Sequence, residues 1–155
     1  MSQQKTSAHL SQNESTDIFQ LVYVSEACSD LSYTDLENIL FSARKRNSDL
    51  NVTGMLIYRD GFFIQFLEGT QKDVKDVIGR IIQDRRHSKL RVVGEWYSLK
   101  RYFEKWSMSF VDGDLLEDIH PFLQQILSDV MLVTLPDQNQ FAKFYEDFIK
   151  EQTVL

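Results

Sequence analysis

Cysteine is nearly absent: Cys28 is the single thiol among 155 residues. One cysteine excludes an intramolecular disulfide, a CxxC redox pair and a Cys-rich zinc site, and points to a cytoplasmic chain. Cys28 itself reads as an inert loop thiol, with no neighbour in sequence that would activate it. Positive charge is also in deficit. With 17 Lys and Arg against 23 Asp and Glu the formal net charge is -6, which argues against nucleic-acid binding, since phosphate attraction needs a basic face. No apolar run approaches the roughly 20 residues of a membrane span, and the first 16 residues carry no hydrophobic signal core. Enzyme signatures are missing too: there is no GxGxxG, no Ser or Cys nucleophile elbow and no metal-ligand cluster, His120 having no ligand partner at i+3 or i+4.

What is present is apolar and aromatic. The composition is 43% hydrophobic and 12% aromatic, with 11 Phe, which favours a dense core or an aromatic-lined pocket. A chain of this length fits one domain that buries roughly two thirds of its unfolded surface. Residues 1–16 are rich in Ser, Gln, Thr and Asn and read as a disordered tail.

From there the pattern alternates between strand and helix. Phe19 to Ser25 is β-branched and aromatic, a first strand with Phe19, Leu21 and Tyr23 on one face. A helix from about Ser32 to Asn47 places Leu36, Ile39, Leu40 and Ala43 at helical spacing, and Asn47 falls on the same stripe. Val52 to Arg59 and Phe62 to Glu68 form a hairpin across Asp60-Gly61, a dipeptide suited to positive φ. Thr70 caps a second helix with the apolar face Val74, Val77, Ile78, Ile81 and Ile82, closed by Arg85 and Arg86 near His87. Lys89 to Leu99 and Trp106 to Val111 are the fourth and fifth strands, with Trp106, Met108 and Phe110 on a common face. The expected fold is therefore α+β: a ferredoxin-like βαββαββ sandwich with a mixed five-stranded sheet and two helices on one face. Beyond Asp114, Leu116, Ile119, Leu123, Ile126 and Leu127, and then Phe141, Phe144, Tyr145 and Phe148, predict two amphipathic C-terminal helices. Pro121 and Pro136 punctuate them.

Gln65 is the anomaly in this pattern. It interrupts the apolar run Phe62 to Leu67, and a buried carboxamide must satisfy two donors and an acceptor, each unpaired group costing about 1–3 kcal/mol. Either a polar network pins the core there or Gln65 faces a polar ligand. Tyr23 and Asn47 also fall on inward faces, as does Trp106 beside Met108. Each has an ordinary reading: a core tyrosine, a helix-terminal Asn, packing for Trp106 and gap-filling for Met108. Arg85, Arg86 and His87 in turn suit the negative end of a helix.

Taken together, the motifs resemble the BLUF family of flavin-binding blue-light sensors. The resemblance rests on Leu21-Val22-Tyr23-Val24-Ser25, on Asn47 seven residues before Gly54, and on Phe63-Ile64-Gln65-Phe66-Leu67-Glu68-Gly69. Asp84-Arg85-Arg86-His87 and Trp106-Ser107-Met108 complete it, over about Ile18 to Asp112. It implies a noncovalent flavin, FAD above FMN or riboflavin, with Tyr23 and Gln65 as the photochemical pair and Trp106 and Met108 as a mobile pair beside Gln65. Tyr23, Asn47, Gln65, Arg86 and His87 are the implied cofactor contacts, with Ile39, Phe63, Arg46 and Arg85 as further candidates. Asn47 would hold the flavin's pyrimidine edge, and Arg86 and His87 its ribityl or phosphate end. Arg46 departs from the smaller polar residue more usual in the family.

The expectation is a short photoreceptor rather than an enzyme. Residues 1–16 form the tail, 17–113 the flavin-binding domain and 114–155 a helical extension for output or oligomerisation, reaching a regulatory protein partner or a second copy. A flavin-dependent reductase and a non-switching interaction module on the same fold are the alternatives.

Overall fold

The computed structural model describes residues 17–29, 31–104, 107–115, 120–128 and 137–149. The N-terminal tail, Trp106, Leu116, Ile119 and Pro136 lie outside them. Strand β1 (Ile18–Ala27) leads to helix α1 (Tyr33–Asp49), hairpin β2 (Thr53–Arg59) and β3 (Phe62–Gly69), helix α2 (Gln71–Ile82), β4 (His87–Ser98) and β5 (Ser109–Asp112). A 3-10 turn, Gly113–Leu115, precedes α3 (Pro121–Ser128) and α4 (Gln138–Phe144), which runs into a π-helical turn at Tyr145–Ile149. The strand order is β4-β1-β3-β2-β5. β5 pairs parallel to β2 while the other pairings are antiparallel, so the sheet is mixed, as the sequence pattern implied.

Local chemistry sets these boundaries. Ser32 caps α1 in a capping box, its hydroxyl accepting from the Asp35 N–H at 3.1 Å while the Asp35 carboxylate accepts from the Ser32 N–H at 2.9 Å. Thr70 caps α2 through the Asp73 N–H. At the hairpin, Asp60 (φ 52°) and Gly61 (φ 81°) both adopt positive φ, the geometry of a two-residue turn that follows the sheet's twist. Gly54 answers a different need: a Cβ there would sit 1.9 Å from the Phe66 carbonyl oxygen across the β2–β3 ladder.

Two elements end differently from the sequence pattern. α2 stops at Ile82, so Arg85 and Arg86 lie in the turn beyond it rather than in its last turn. The His87 ring takes the Ile81 carbonyl at 2.6 Å and the Asp84 carboxylate takes the Arg86 N–H at 2.9 Å, which turns the chain out of the helix. β5 begins at Ser109 rather than Trp106, because the carbonyls of Ser107 and Met108 are held by α1 side chains at 2.8 and 2.9 Å instead of by a strand.

The sheet divides two cores. On one face Phe19, Leu21, Tyr23, Leu56, Phe63 and Leu67 pack against α1 and α2 through Ala43, Val74, Val77, Ile78 and Ile81. On the other, Val22, Val24, Met55, Ile57, Ile64 and Phe66 meet Phe122, Leu123, Ile126, Phe141 and Phe144 of α3 and α4. The high phenylalanine count is explained here. Phe66, Phe103, Phe122, Phe141 and Phe144 form one aromatic cluster under the C-terminal helices.

Candidate functional site

Antiparallel pairing puts Tyr23 of β1 directly opposite Gln65 of β3, and Leu56 of β2 opposite Gln65 on its other side. Period-two alternation turns all three toward α1 and α2, where they floor a narrow cleft. Ile39, Ala43 and Arg46 of α1 form one wall. Ile81, Asp84, Arg86 and His87 form the other, and Phe63 joins the floor. The cleft explains why Ile39 is only half-buried despite lying on the inward stripe of α1.

A continuous relay of polar atoms runs across this floor. The Tyr23 hydroxyl donates to Gln65 Oε1, and Gln65 Nε2 donates to Met108 Sδ at 3.4 Å. All three side chains are buried, at 3%, 2% and 2% exposure. Burial pushes the Tyr23 phenol far above its ordinary value, against the opposing pull of the Arg46 guanidinium. Tyr23 is therefore a neutral hydroxyl donor at any physiological pH. A thioether sulfur only accepts, so both contacts are hydrogen bonds when the amide nitrogen faces Met108 and the amide oxygen faces the phenol, as here.

The rim is charged. Arg86 forms a fork on Asp84, with Nε to Oδ1 at 2.9 Å and Nη2 to Oδ2 at 2.6 Å. This bond holds the Asp84 carboxyl below the usual range and raises Arg86. Desolvation lowers Arg46, the half-buried guanidinium on the opposite wall. Both ring nitrogens of His87 are engaged by protein, Nε2 with the Ile81 carbonyl and Nδ1 with Ser25 Oγ at 2.8 Å. A carbonyl only accepts, so in the neutral ring Nε2 carries the proton and Nδ1 accepts from the serine. His87 thus offers the cleft its ring, 6.3 Å from that of Tyr23 and 6.4 Å from that of Phe63 between centroids.

Of the sequence-predicted residues, Tyr23, Ile39, Arg46, Phe63, Gln65, Arg86 and His87 line the cleft, and Met108 contacts it through Gln65. Asn47 is fully buried but does not line it: its Nδ2 donates to the Ser107 carbonyl at 2.8 Å and its Oδ1 accepts from Arg46 Nε at 3.4 Å. Arg85 is exposed and outside the cleft. Trp106 falls outside the described residues. Sequence reasoning missed Arg44, whose Nε holds the Met108 carbonyl at 2.9 Å, because nothing in an exposed helical arginine marks a tertiary contact. It also left Asp84 without a role, although its spacing two residues before Arg86 suits a local ion pair. Among the described residues no group of His, Cys, Asp and Glu side chains is arranged to hold a metal ion.

The cleft combines apolar surface with polar edges. Leu56, Phe63, Ala43, Ile39 and Ile81 supply dispersion surface, while Gln65 and the charged rim supply directional contacts. The known proteins agree with this chemistry. A family model described as sensors of blue light using FAD, BLUF, matches residues 18–109. The photoactivated adenylate cyclase subunit beta of Euglena gracilis is 33% identical over 116 residues, 74% of this chain and 13% of that protein. The blue light- and temperature-regulated antirepressor BluF of Escherichia coli K12 is 33% identical over 97 residues, 63% of this chain and 24% of that protein. The chain therefore spans a small part of the length of these relatives. The photo-activated state of BlsA superposes with a TM-score of 0.66 at 27% identity, covering 85% of this chain and 94% of that one.

Proposed function

Because the chain belongs to the BLUF family of flavin-based blue-light sensors, we propose that Tyr23, Gln65 and Met108 are its switch and that the cleft above them holds the flavin noncovalently. The observation that carries this reading is the Tyr23–Gln65–Met108 relay along the cleft floor. Ile39, Phe63 and Leu56 would sandwich the ring system, with Arg46, Arg86 and His87 toward its polar ends. FAD is the preferred flavin, and FMN and riboflavin share the ring that the cleft fits. Asn47 acts from behind the cleft wall, through Arg46 and Ser107.

When bound and excited by blue light, the flavin supplies a strong oxidant next to the phenol. Tyr23 would give up an electron to that oxidant and, along its hydrogen bond, a proton to Gln65 Oε1. The carboxamide then rearranges by rotation or tautomerisation. Rotation presents Nε2 to the Tyr23 oxygen, which becomes an acceptor, and Oε1 to Met108 Sδ. Thioether sulfur has no proton to donate, so the rotated amide has no hydrogen bond to Met108. The same event that resets the hydrogen bonds at the chromophore therefore releases Met108. Return of both the electron and the proton to Tyr23 would close the cycle with no net chemistry.

Output runs through protein contacts rather than catalysis in this chain, from residues 17–113 to the helices of 114–155, and onward to a regulatory partner or a second copy in the cytoplasm. The net charge of -6 supports a protein rather than a nucleic-acid target, and no described helix is long and apolar enough to cross a membrane. A light-minus-dark absorption spectrum tests the reading. Flavin-loaded protein is expected to show a small red shift that reverses in darkness, and Gln65→Leu to keep flavin without that shift. A shift of full size in Gln65→Leu refutes the role of the carboxamide.

A further inference from the structure

Three residues beyond Gln65 on β3, and on the opposite face of the sheet, lies a buried carboxylate that the switch does not use. Glu68 is 1% exposed and every group on its oxygens is a donor. Oε2 accepts from the Tyr102 N–H at 2.9 Å and from Gln20 Nε2 at 3.3 Å; Oε1 accepts from the Phe103 N–H at 2.5 Å and from Thr53 Oγ1 at 3.1 Å. Arg101 closes the arrangement, its Nη1 reaching Thr53 Oγ1 at 2.9 Å and the Glu68 carbonyl at 3.2 Å, its Nη2 the Asn51 carbonyl at 2.8 Å. Gln20, Glu68 and Thr53 stand side by side on β1, β3 and β2, so the acid anchors the β4–β5 loop to three strands at once.

That loop joins the two halves of the molecule. At one end Met108 receives the Gln65 amide, and α1 holds the Ser107 and Met108 carbonyls. At the other, Tyr102 stacks on Tyr145 at 4.3 Å and on Phe141 at 5.4 Å, under the C-terminal helices. Both ends of the loop are therefore held, Tyr102 and Phe103 by Glu68, Ser107 and Met108 by α1 and Gln65.

We propose that Glu68 is a positioning residue of the switch: by clipping Tyr102 and Phe103 to the sheet it makes release of Met108 move the Tyr102–Tyr145 stack rather than the loop alone. The inference rests on the switch assigned above and adds its route to α4. With the clip intact, the loop is a strut. Without it, the loop is a tether.

The test is hydrogen exchange on the flavin-loaded full chain, in darkness and under blue light, alongside the absorption spectrum. In Glu68→Gln one oxygen is replaced by a donor that cannot accept the loop amides. The Tyr102 and Phe103 amides should then exchange at least about tenfold faster in darkness, a factor equivalent to about 1.4 kcal/mol and reasonable for a hydrogen bond to a charged group. The red shift should persist at full size while the light-induced exchange change across residues 138–149 falls below about half that of the unsubstituted chain. Thr53→Val, which preserves the acid and the packing, should show the same pattern at about threefold, and serves if Glu68→Gln does not fold. A full light response at residues 138–149 in both variants overturns the proposal, as does an unsubstituted chain that shifts its flavin band with no change there. An unsubstituted chain with no red shift overturns the light-sensing reading instead, and this proposal with it.

Discussion

The Tyr23–Gln65 contact can be weighed by a double-mutant cycle in the dark state. Tyr23→Phe removes the hydroxyl and strands Gln65 Oε1; Gln65→Leu removes the amide and strands the Tyr23 hydroxyl. Both groups sit at 3% exposure or less, so water does not replace the lost partner, and each single change should cost about 1–3 kcal/mol. The double variant strands neither group. It leaves an apolar pair between Leu56 and Phe63, so its cost should be far below the sum, with a coupling of about 1–2 kcal/mol. In a chain of this size each kcal/mol moves the melting temperature by about 2–4 °C, so the single variants should each melt several degrees low and the double variant no lower than either. Thermal unfolding of the flavin-free proteins followed by circular dichroism reads all four corners, since a flavin bound over Tyr23 and Gln65 would stabilise the four proteins unequally. Additivity within about 0.5 kcal/mol would refute the view that these two groups satisfy each other.

Gly54→Ala drives a methyl into the Phe66 carbonyl at 1.9 Å, backbone that cannot give way without breaking the central ladder. Its cost should reach about 3 kcal/mol or more, measured by urea unfolding. Truncation after Asp114 uncovers the second core by removing Phe122, Leu123, Ile126, Phe141 and Phe144. At about 1.5–3 kcal/mol per buried side chain the loss rivals the whole stability of an ordinary domain, so size-exclusion chromatography should show aggregation rather than a compact sensor. Asp84, held below the usual carboxylate range by Arg86, contributes stability that is complete above the unfolded value and lost as the pH falls through the folded one. The stability difference between the unsubstituted chain and Asp84→Asn should therefore narrow below about pH 4. A difference unchanged down to pH 2 in an acid titration would contradict the ion pair.

The sheet and its helices were legible because each inward residue repeats at a period that only one element satisfies. Leu21 and Tyr23 at spacing two, and Val74, Val77, Ile78 and Ile81 at helical spacing, leave little freedom. Gln65 was legible as an anomaly, since a carboxamide inside an apolar strand must find partners. What periodicity does not carry is the tertiary partner of a flexible polar side chain. Arg44 and Asn47 both bind the segment before β5, and that competition for carbonyls shortened the strand. Glu68 was quoted within a motif yet had no evident task, because its four donors come from β1, β2 and a loop more than thirty residues away. The C-terminal helices were legible as amphipathic, and the structure adds that their apolar faces complete a core built around Phe66.

Strength is unevenly distributed across the sheet. β5 is four residues long, lies at an edge, and runs parallel to β2 from Ser109 to Asp112. β1 and β3, by contrast, share an antiparallel ladder from Phe19–Gly69 to Glu26–Phe62. Parallel pairing is the weaker per residue, so the seam between β2 and β5 is where the molecule opens at least cost. That seam begins one residue after Met108. A change that the proposed switch delivers to Met108 would therefore meet the shortest strand of the sheet before the long central ladder.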